Sequence, residues 1–565
     1  MKYKIIILLA CILSLNSCSD LNLNPLSEGS SANWYSNESE IKMAVNDLYR
    51  KIFWTLDDDF WTDDWSYSET LTPITNETIN GEWSTLATWW ANSYKCIARA
   101  NTILYNLELN KAGLPQVILD QYIAEARFAR AAQYAKLISH WGDVIYFTDK
   151  IDLDESFSMN KTDKEIILQS IYEDYDFAAS KLPISYGTSE NMRATKGAAF
   201  AMKARIALYF EDWAICRDAA KACIDLGVYD LYPDFSELFL SKTKNTQETI
   251  FSIPQSVELN SYFDQNCKDY VTRNTGAGWA AKNPSWDLFC AFLCTDGLPI
   301  DESPLFNPRE PFENRDPRCT ATIVEFQTPH LGFMFQPHPD SLVVWNFNTG
   351  KYQKNNDTRA NAQYAAYAGM MWKKRVDEDW ADDYLVGFEI HVVRYADVLL
   401  MYAESEIELG EINQEMLDAT INKVRARAYK VDVSDKELYP AVNIAEQADL
   451  RKVLRIERRM ELAWEGVRYM DIIRWRLAEK VLNTGIYGML DVAELREKIV
   501  NQDLWFFPQV PPIDEDGVVD FTPMYNAGLI KKFAQRSFDK TRQYLWPIPS
   551  KEIIINSNLQ QNTGY

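Results

Sequence analysis

Carboxylates are the most abundant groups here that could do chemistry: 81 Asp and Glu stand against 58 Lys and Arg in 565 residues, a net charge of −23. Two carboxyls at the right separation can work as an acid/base pair on a glycosidic bond. Among so many, some pair always has that separation, so spacing alone selects none. Asp57-Asp58-Asp59 and Asp63-Asp64 offer hard oxygens of the kind calcium takes. They lack the glycine and terminal glutamate of an EF-hand loop, so a solvated acidic loop is expected, with no cofactor. The four histidines, His140, His330, His338 and His391, are scattered, which argues against a histidine-driven metal or catalytic cluster. Gly276-Ala277-Gly278 is a GxG without a third glycine or a strand–turn–helix setting. P-loop, HExxH and GxSxG patterns are absent. Catalysis is therefore not expected, and the negative charge disfavours nucleic acid.

Thiols add little. After Cys11 and Cys18, seven cysteines remain: Cys96, Cys216, Cys223, Cys267, Cys290, Cys294 and Cys319. The number is odd and no CxxC occurs, so buried single thiols are expected rather than a disulfide or zinc framework. Cys18 has a different role. Lys2 and Lys4 precede the apolar run Ile5 to Leu15, and Leu15-Asn16-Ser17-Cys18 follows. That is a signal-peptide layout ending in a sequence that resembles a bacterial lipobox. The expected outcome is removal of residues 1–17 and lipidation of Cys18, with residues 18–37 as a tether and the acyl chains as the sole membrane attachment.

The elements that must position any site are mostly helical. Apolar spacing predicts helices over 38–55, 83–109, 116–140, 163–181, 194–211 and 213–226. Alanines recur in several of them, so the axes can approach closely. Such short-looped pairs suggest a tetratricopeptide-like superhelical scaffold. Residues 56–82 read as a long loop. From 227 to 395 the chain turns irregular, with short β-like pieces such as Thr249–Ile253 and Leu342–Trp345. Helices return at 396–409, 413–429, 446–464 and 467–482, before a loop-rich end at 483–565. The expected units are a helical region at 38–226, an irregular insertion at 227–395, to which the family resemblance given below assigns ligand binding, and a C-terminal helical region with a terminal clamp at 396–565. From Glu457 to Arg474 opposite charges alternate at spacings of three and four, which predicts an ion network between helices.

Several segments, in order, carry a family resemblance: Glu125-Ala126-Arg127-Phe128-Ala129-Arg130-Ala131 leading to Gly142-Asp143-Val144; Cys294-Thr295-Asp296-Gly297; and Arg315-Asp316-Pro317-Arg318. Further on come Arg394-Tyr395-Ala396-Asp397-Val398-Leu399-Leu400-Met401-Tyr402-Ala403-Glu404 and Glu457-Arg458-Arg459-Met460-Glu461-Leu462-Ala463-Trp464-Glu465-Gly466. Tyr544-Leu545-Trp546-Pro547-Ile548-Pro549 and Gln561-Asn562-Thr563-Gly564-Tyr565 close the set. Together they resemble the SusD/RagB family of outer-membrane lipoproteins. The resemblance implies a lipid-anchored protein on the exterior of a Gram-negative cell, which captures a glycan for a SusC-like TonB-dependent transporter. A glycoside hydrolase and a tetratricopeptide-like adaptor for a peptide or protein are the alternatives.

Sugars present C–H patches that indole and phenol faces match. By resemblance, the ligand platform draws on loop 56–82 and on the central irregular region, and loop aromatics are the candidates there. Trp83 and Trp279 lead, set in polar surroundings; Trp61, Trp65, Trp286 and Trp345 follow. Tryptophans within helices, such as Trp89, Trp90 and Trp464, are expected in the core.

Overall fold

The computed structural model describes residues 34–67, 71–110, 112–187, 190 and 192–565. The expected signal peptide, Cys18 and most of the expected tether lie outside the described residues. The fold is mostly helical with small sheets. Its principal N-terminal helices are α1 (Glu38–Asp47), α2 (Ser84–Glu108), α3 (Gln116–Trp141), α4 (Lys164–Lys181), α5 (Lys196–Tyr209) and α6 (Trp213–Ile224). After the irregular region come α7 (Tyr395–Leu409), α8 (Ile421–Tyr429), α9 (Gln447–Leu462) and α10 (Arg468–Arg474).

Helix α3 packs between α2 and α4, and α7 packs on α6 and α9. Both are buried nearly all round, which is why their apolar residues occupy every face rather than one stripe. Helix α7 ends at Gly410, φ +70°, whose N–H caps the carbonyl of Ile407; a left-handed residue at that position is what glycine permits. The N- and C-terminal helices share one hydrophobic core, which also takes in Trp546. A second core joins residues of the central region to Met460, Trp464 and the segment 489–530.

Strand β1 (Trp65–Tyr67) pairs antiparallel with β3 (Lys282–Pro284). Strand β2 (Thr249–Ile253) pairs with β8 (Ile390–Arg394) and closes the base of the irregular segment, bringing its entrance beside its exit. Within that segment β4 (Thr328–His330), β5 (Phe333–Phe335), β6 (Val343–Asn346) and β7 (Lys351–Lys354) form a small antiparallel sheet in chain order.

Three helices are shorter than their periodicity predicts. Helix α1 stops at Asp47 because Trp54 folds back and its Nε1 donates to the Leu48 carbonyl, 2.9 Å. The stretch 413–429 breaks at Thr420, φ −125°, ψ −93°. The stretch 467–482 breaks at Arg476, whose φ is +55°.

The acidic loop corrects a larger expectation. Asp59, Asp63 and Asp64 are buried, not solvated. Arg459 donates to Asp64, 2.8 Å, and to Asp63, 2.9 Å, while Arg468 grips Asp63 at 3.0 Å. Burial would raise the Asp63 carboxyl, but Arg459 and Arg468 outweigh it and hold the group well below its usual range. The arginines draw the loop inward, and the tryptophans follow. Trp61 is 4% exposed, Trp65 2% and Trp286 1%. The expectation that these three offer faces to a ligand is therefore corrected. Trp61 packs on Trp89 and Trp546, Trp65 on Trp372 and Trp464, and Trp286 on Phe506 and Phe507.

Candidate functional site

Three of the candidate tryptophans keep some solvent contact. Trp83 is half-buried at the start of α2, leaning on Trp61 and Trp546 at ring distances of 5.8 Å each. Trp279 is 56% exposed. Trp345 is partly exposed on β6, opposite Tyr352 of β7, which is 71% exposed. Their rings meet edge-to-face at 5.2 Å, the geometry that ring quadrupoles favour.

Trp279 owes its position to the turn before it. Residues Arg273–Thr275 form one tight helical turn that ends in Gly276, φ +91°. At Gly278 a Cβ would lie 2.1 Å from the Thr272 carbonyl oxygen, so no side chain fits. The turn is locked internally: Arg273 Nη1 donates to the Trp279 carbonyl, 2.8 Å, and the Trp279 N–H donates to the Lys268 carbonyl, 2.8 Å.

The same turn is tied to the chain leaving β7. The Arg273 N–H donates to Asp357 Oδ1, 2.7 Å. Asn274 Nδ2 donates to Asp357 Oδ2, 2.6 Å, and to Asn355 Oδ1, 3.1 Å, while its own Oδ1 accepts the Asn356 N–H, 2.7 Å. Asn355 Nδ2 in turn donates to the carbonyls of Gln336 and Ser341, both 2.7 Å. Asn274, Asn355 and Asp357 are buried. They make a polar knot that mounts the Trp279 turn and the Trp345–Tyr352 hairpin on one support. Burial pushes the Asp357 carboxyl up to about 7, against the pull of the Arg273 and Asn274 donors.

Sequence reasoning passed over Tyr352 and the knot. The signal for the hairpin was present: Asn348-Thr349-Gly350 separates two alternating runs, and Gly350 takes φ +64°. Asn274 and Asp357 carried no signal, because they are far apart in the chain and ordinary in type.

The charged cluster that runs through Glu457–Arg474 is structural. Arg394 donates to Glu248, Glu461 and Glu465 at 2.6–2.7 Å; Arg318 donates to Asp316, Glu457 and Glu461 at 2.6–3.1 Å. Arg474 binds Glu404, 2.6 Å, and Arg458 binds Asp397, 3.0 Å. These groups are buried and each carboxylate meets a guanidinium, as the alternating charges predicted. Among the described residues no group of three or more His, Cys, Asp or Glu is placed to hold a metal ion. The seven described cysteines are buried and unbridged.

Comparison with known proteins gives a consistent picture. A family profile described as the SusD family matches residues 247–565, and one described as starch-binding, associating with outer membrane, matches 30–208. A SusD-like protein of Formosa agariphila is 25% identical over 511 residues, covering 84% of this chain and 89% of its own. The crystal structure of a SusD-like carbohydrate-binding protein from Bacteroides fragilis superposes with a TM-score of 0.76 at 27% identity, covering 94% of this chain and 100% of that one. A laminarin-binding SusD-like protein shares the fold, with a TM-score of 0.61 at 18% identity over 94% of this chain and 100% of that one.

Proposed function

This chain belongs to the SusD family, and from that premise we propose that it is a surface lipoprotein that binds a glycan and passes it to a SusC-like transporter without altering it. The observation that carries the binding half is the exposed Trp279 on a mount shared with the Trp345–Tyr352 pair. Rigid aromatic faces bind sugar C–H patches without much loss of side-chain entropy. Arg273, partly exposed beside Trp279, supplies hydrogen bonds for hydroxyls. Trp83 has one side committed to Trp61 and Trp546, so it contributes a rim at most.

The test is calorimetry against a panel that includes starch oligosaccharides and laminarin, run with thermal melts. A stacking ring is worth about 0.5–1.5 kcal/mol beyond the area it covers, so Trp279→Ala is expected to weaken binding roughly tenfold. Its melting temperature should not move. Trp83→Ala should instead lower the melt. Full affinity in both Trp279→Ala and Trp345→Ala removes the platform. Chromatography of the glycan after long incubation should return it intact; sustained product formation would favour the hydrolase alternative.

The anchor is a separate expectation. Among the described residues no helix is long and apolar enough to cross a membrane. Cys18→Ala is expected to leave the fold intact and move the protein from the membrane pellet to the soluble fraction. The strain must lack the partner transporter, which could otherwise retain the protein. Persistence in washed outer membranes there would refute lipid anchoring.

A further inference from the structure

Away from the aromatic face, a cleft of about 490 Å³ opens between the end of α1 and the β2 edge. Its lining includes Lys42, Arg50, Lys51 and Arg193 with one carboxylate, Glu190. That balance is unusual in a chain of net charge −23. The cleft between α2 and the C-terminus is lined instead by Asp149, Asp152 and Glu552 against Lys150.

The cations differ in how far they are already committed. Arg193 is buried, donating from Nη1 to Glu125, 2.6 Å, and from Nη2 to Asn46. Lys42 is paired with Glu190. Arg50 and Lys51 are weakly held. Arg50 reaches only Asp47, at 3.5 Å, and Asp47 is engaged more closely by Arg99, at 2.8 Å. Lys51 Nζ has one long bond, 3.4 Å, to the Tyr262 carbonyl; partial burial lowers its ammonium, offset in part by Asp264. Two adjacent cations with spare donors thus stand at a cleft whose walls add the polar side chains of Asn46 and Ser261, while the Ser252 hydroxyl is buried and committed to Glu389.

We propose that this cleft binds an acidic sugar unit, its carboxylate or sulfate ester held by Arg50 and Lys51. A guanidinium and an ammonium side by side can share one oxyanion through charge-assisted hydrogen bonds. A cleft with low-dielectric walls concentrates that attraction against the protein's overall negative field. The volume matches small-ligand sites, which start near 300 Å³, and the hydroxyl and amide side chains suit a sugar ring. The site does not use the aromatic face. The glycan reading enters only in taking the anion to be carried by a sugar.

Glucuronate, glucose and inorganic sulfate are titrated into the purified protein at low ionic strength. Glucuronate is expected to bind at least tenfold more tightly than glucose, and to weaken as sodium chloride is added. Arg50→Gln/Lys51→Gln should erase the preference without moving the melting temperature, because neither side chain is strongly paired. Trp279→Ala should retain it, so failure of the aromatic platform and failure of this site are distinguishable. An equal affinity for glucose and glucuronate overturns the proposal, as does a preference that survives the double substitution. Binding of sulfate that glucuronate does not displace overturns the assignment to a sugar.

Discussion

Arg394→Ala is expected to lower the stability of the protein by about 3–5 kcal/mol, the usual cost of removing one partner from a buried ion pair. The side chain is 1% exposed and ends β8 where α7 begins. Its guanidinium donates to Glu248, just before the strand that closes the irregular segment, to Glu461 in the last turn of α9 and to Glu465 just past it. Without it Glu465 keeps Lys374, 2.6 Å, and Glu461 keeps Arg427 and Arg318, so the excess negative charge stays buried. The pH dependence follows the same geometry. Burial alone would raise Glu461, but Arg427, Arg394 and Arg318 outweigh it and lower the carboxyl from 4.5 to about 2. A depressed folded-state value contributes stability above the unfolded value, which is lost as pH falls through the folded one. The native protein should therefore lose this contribution between about pH 4.5 and 2. In Arg394→Ala the acid loss should begin at higher pH. Urea unfolding at pH 7 and across the acid range measures both effects. A change below about 1 kcal/mol at pH 7 would show the arginine to be dispensable, the surface-pair result.

The network also explains which parts of the molecule were legible in sequence. Long helices were, since apolar spacing at 3.6 residues reports a buried face regardless of the partner. So were the Thr249–Ile253 strand and the structural ion network. Exposure in loops was not. Asp57 to Trp65 looks like solvated loop because its acids are dense. Arg459, 395 positions beyond Asp64, turns those acids into buried ligands and takes Trp61 and Trp65 with them. Nothing local announces such a partner. The Trp279 turn was partly legible, through Gly276 and Gly278, but the Asn274–Asp357 knot that mounts it pairs residues 83 positions apart.

Trp546→Ala should have an effect of similar size, through packing rather than charge. Trp546 is 1% exposed and sits among the rings of Trp61, Trp89, Trp141 and His140 at 4.6–5.5 Å. Its Nε1 donates to the Tyr469 hydroxyl, 2.8 Å, and its own N–H to the His140 carbonyl, 2.6 Å. The chain beyond it is stitched on through Trp141 Nε1 to the Pro547 carbonyl, 2.9 Å, and Asn562 Nδ2 to the Trp546 and Trp141 carbonyls, 2.7 and 2.8 Å. One indole thus joins loop 57–64, α2, α3, α10 and the C-terminus. Truncating a buried Trp to Ala costs about 3–5 kcal/mol, because a cavity of that size cannot collapse when five elements hold its walls. Trp546→Phe should cost less: it keeps much of the ring contact but removes the indole donor to the buried Tyr469 hydroxyl, for a loss of about 1–3 kcal/mol. Hydrogen exchange separates local from global failure. In Trp546→Ala the amides of residues 544–565 should lose protection first, while those of α7 and α9, held by the arginine network, exchange only on global unfolding. Protection lost uniformly, or a destabilisation no larger than that of Trp546→Phe, would mean that the terminal segment is not clamped by this side chain.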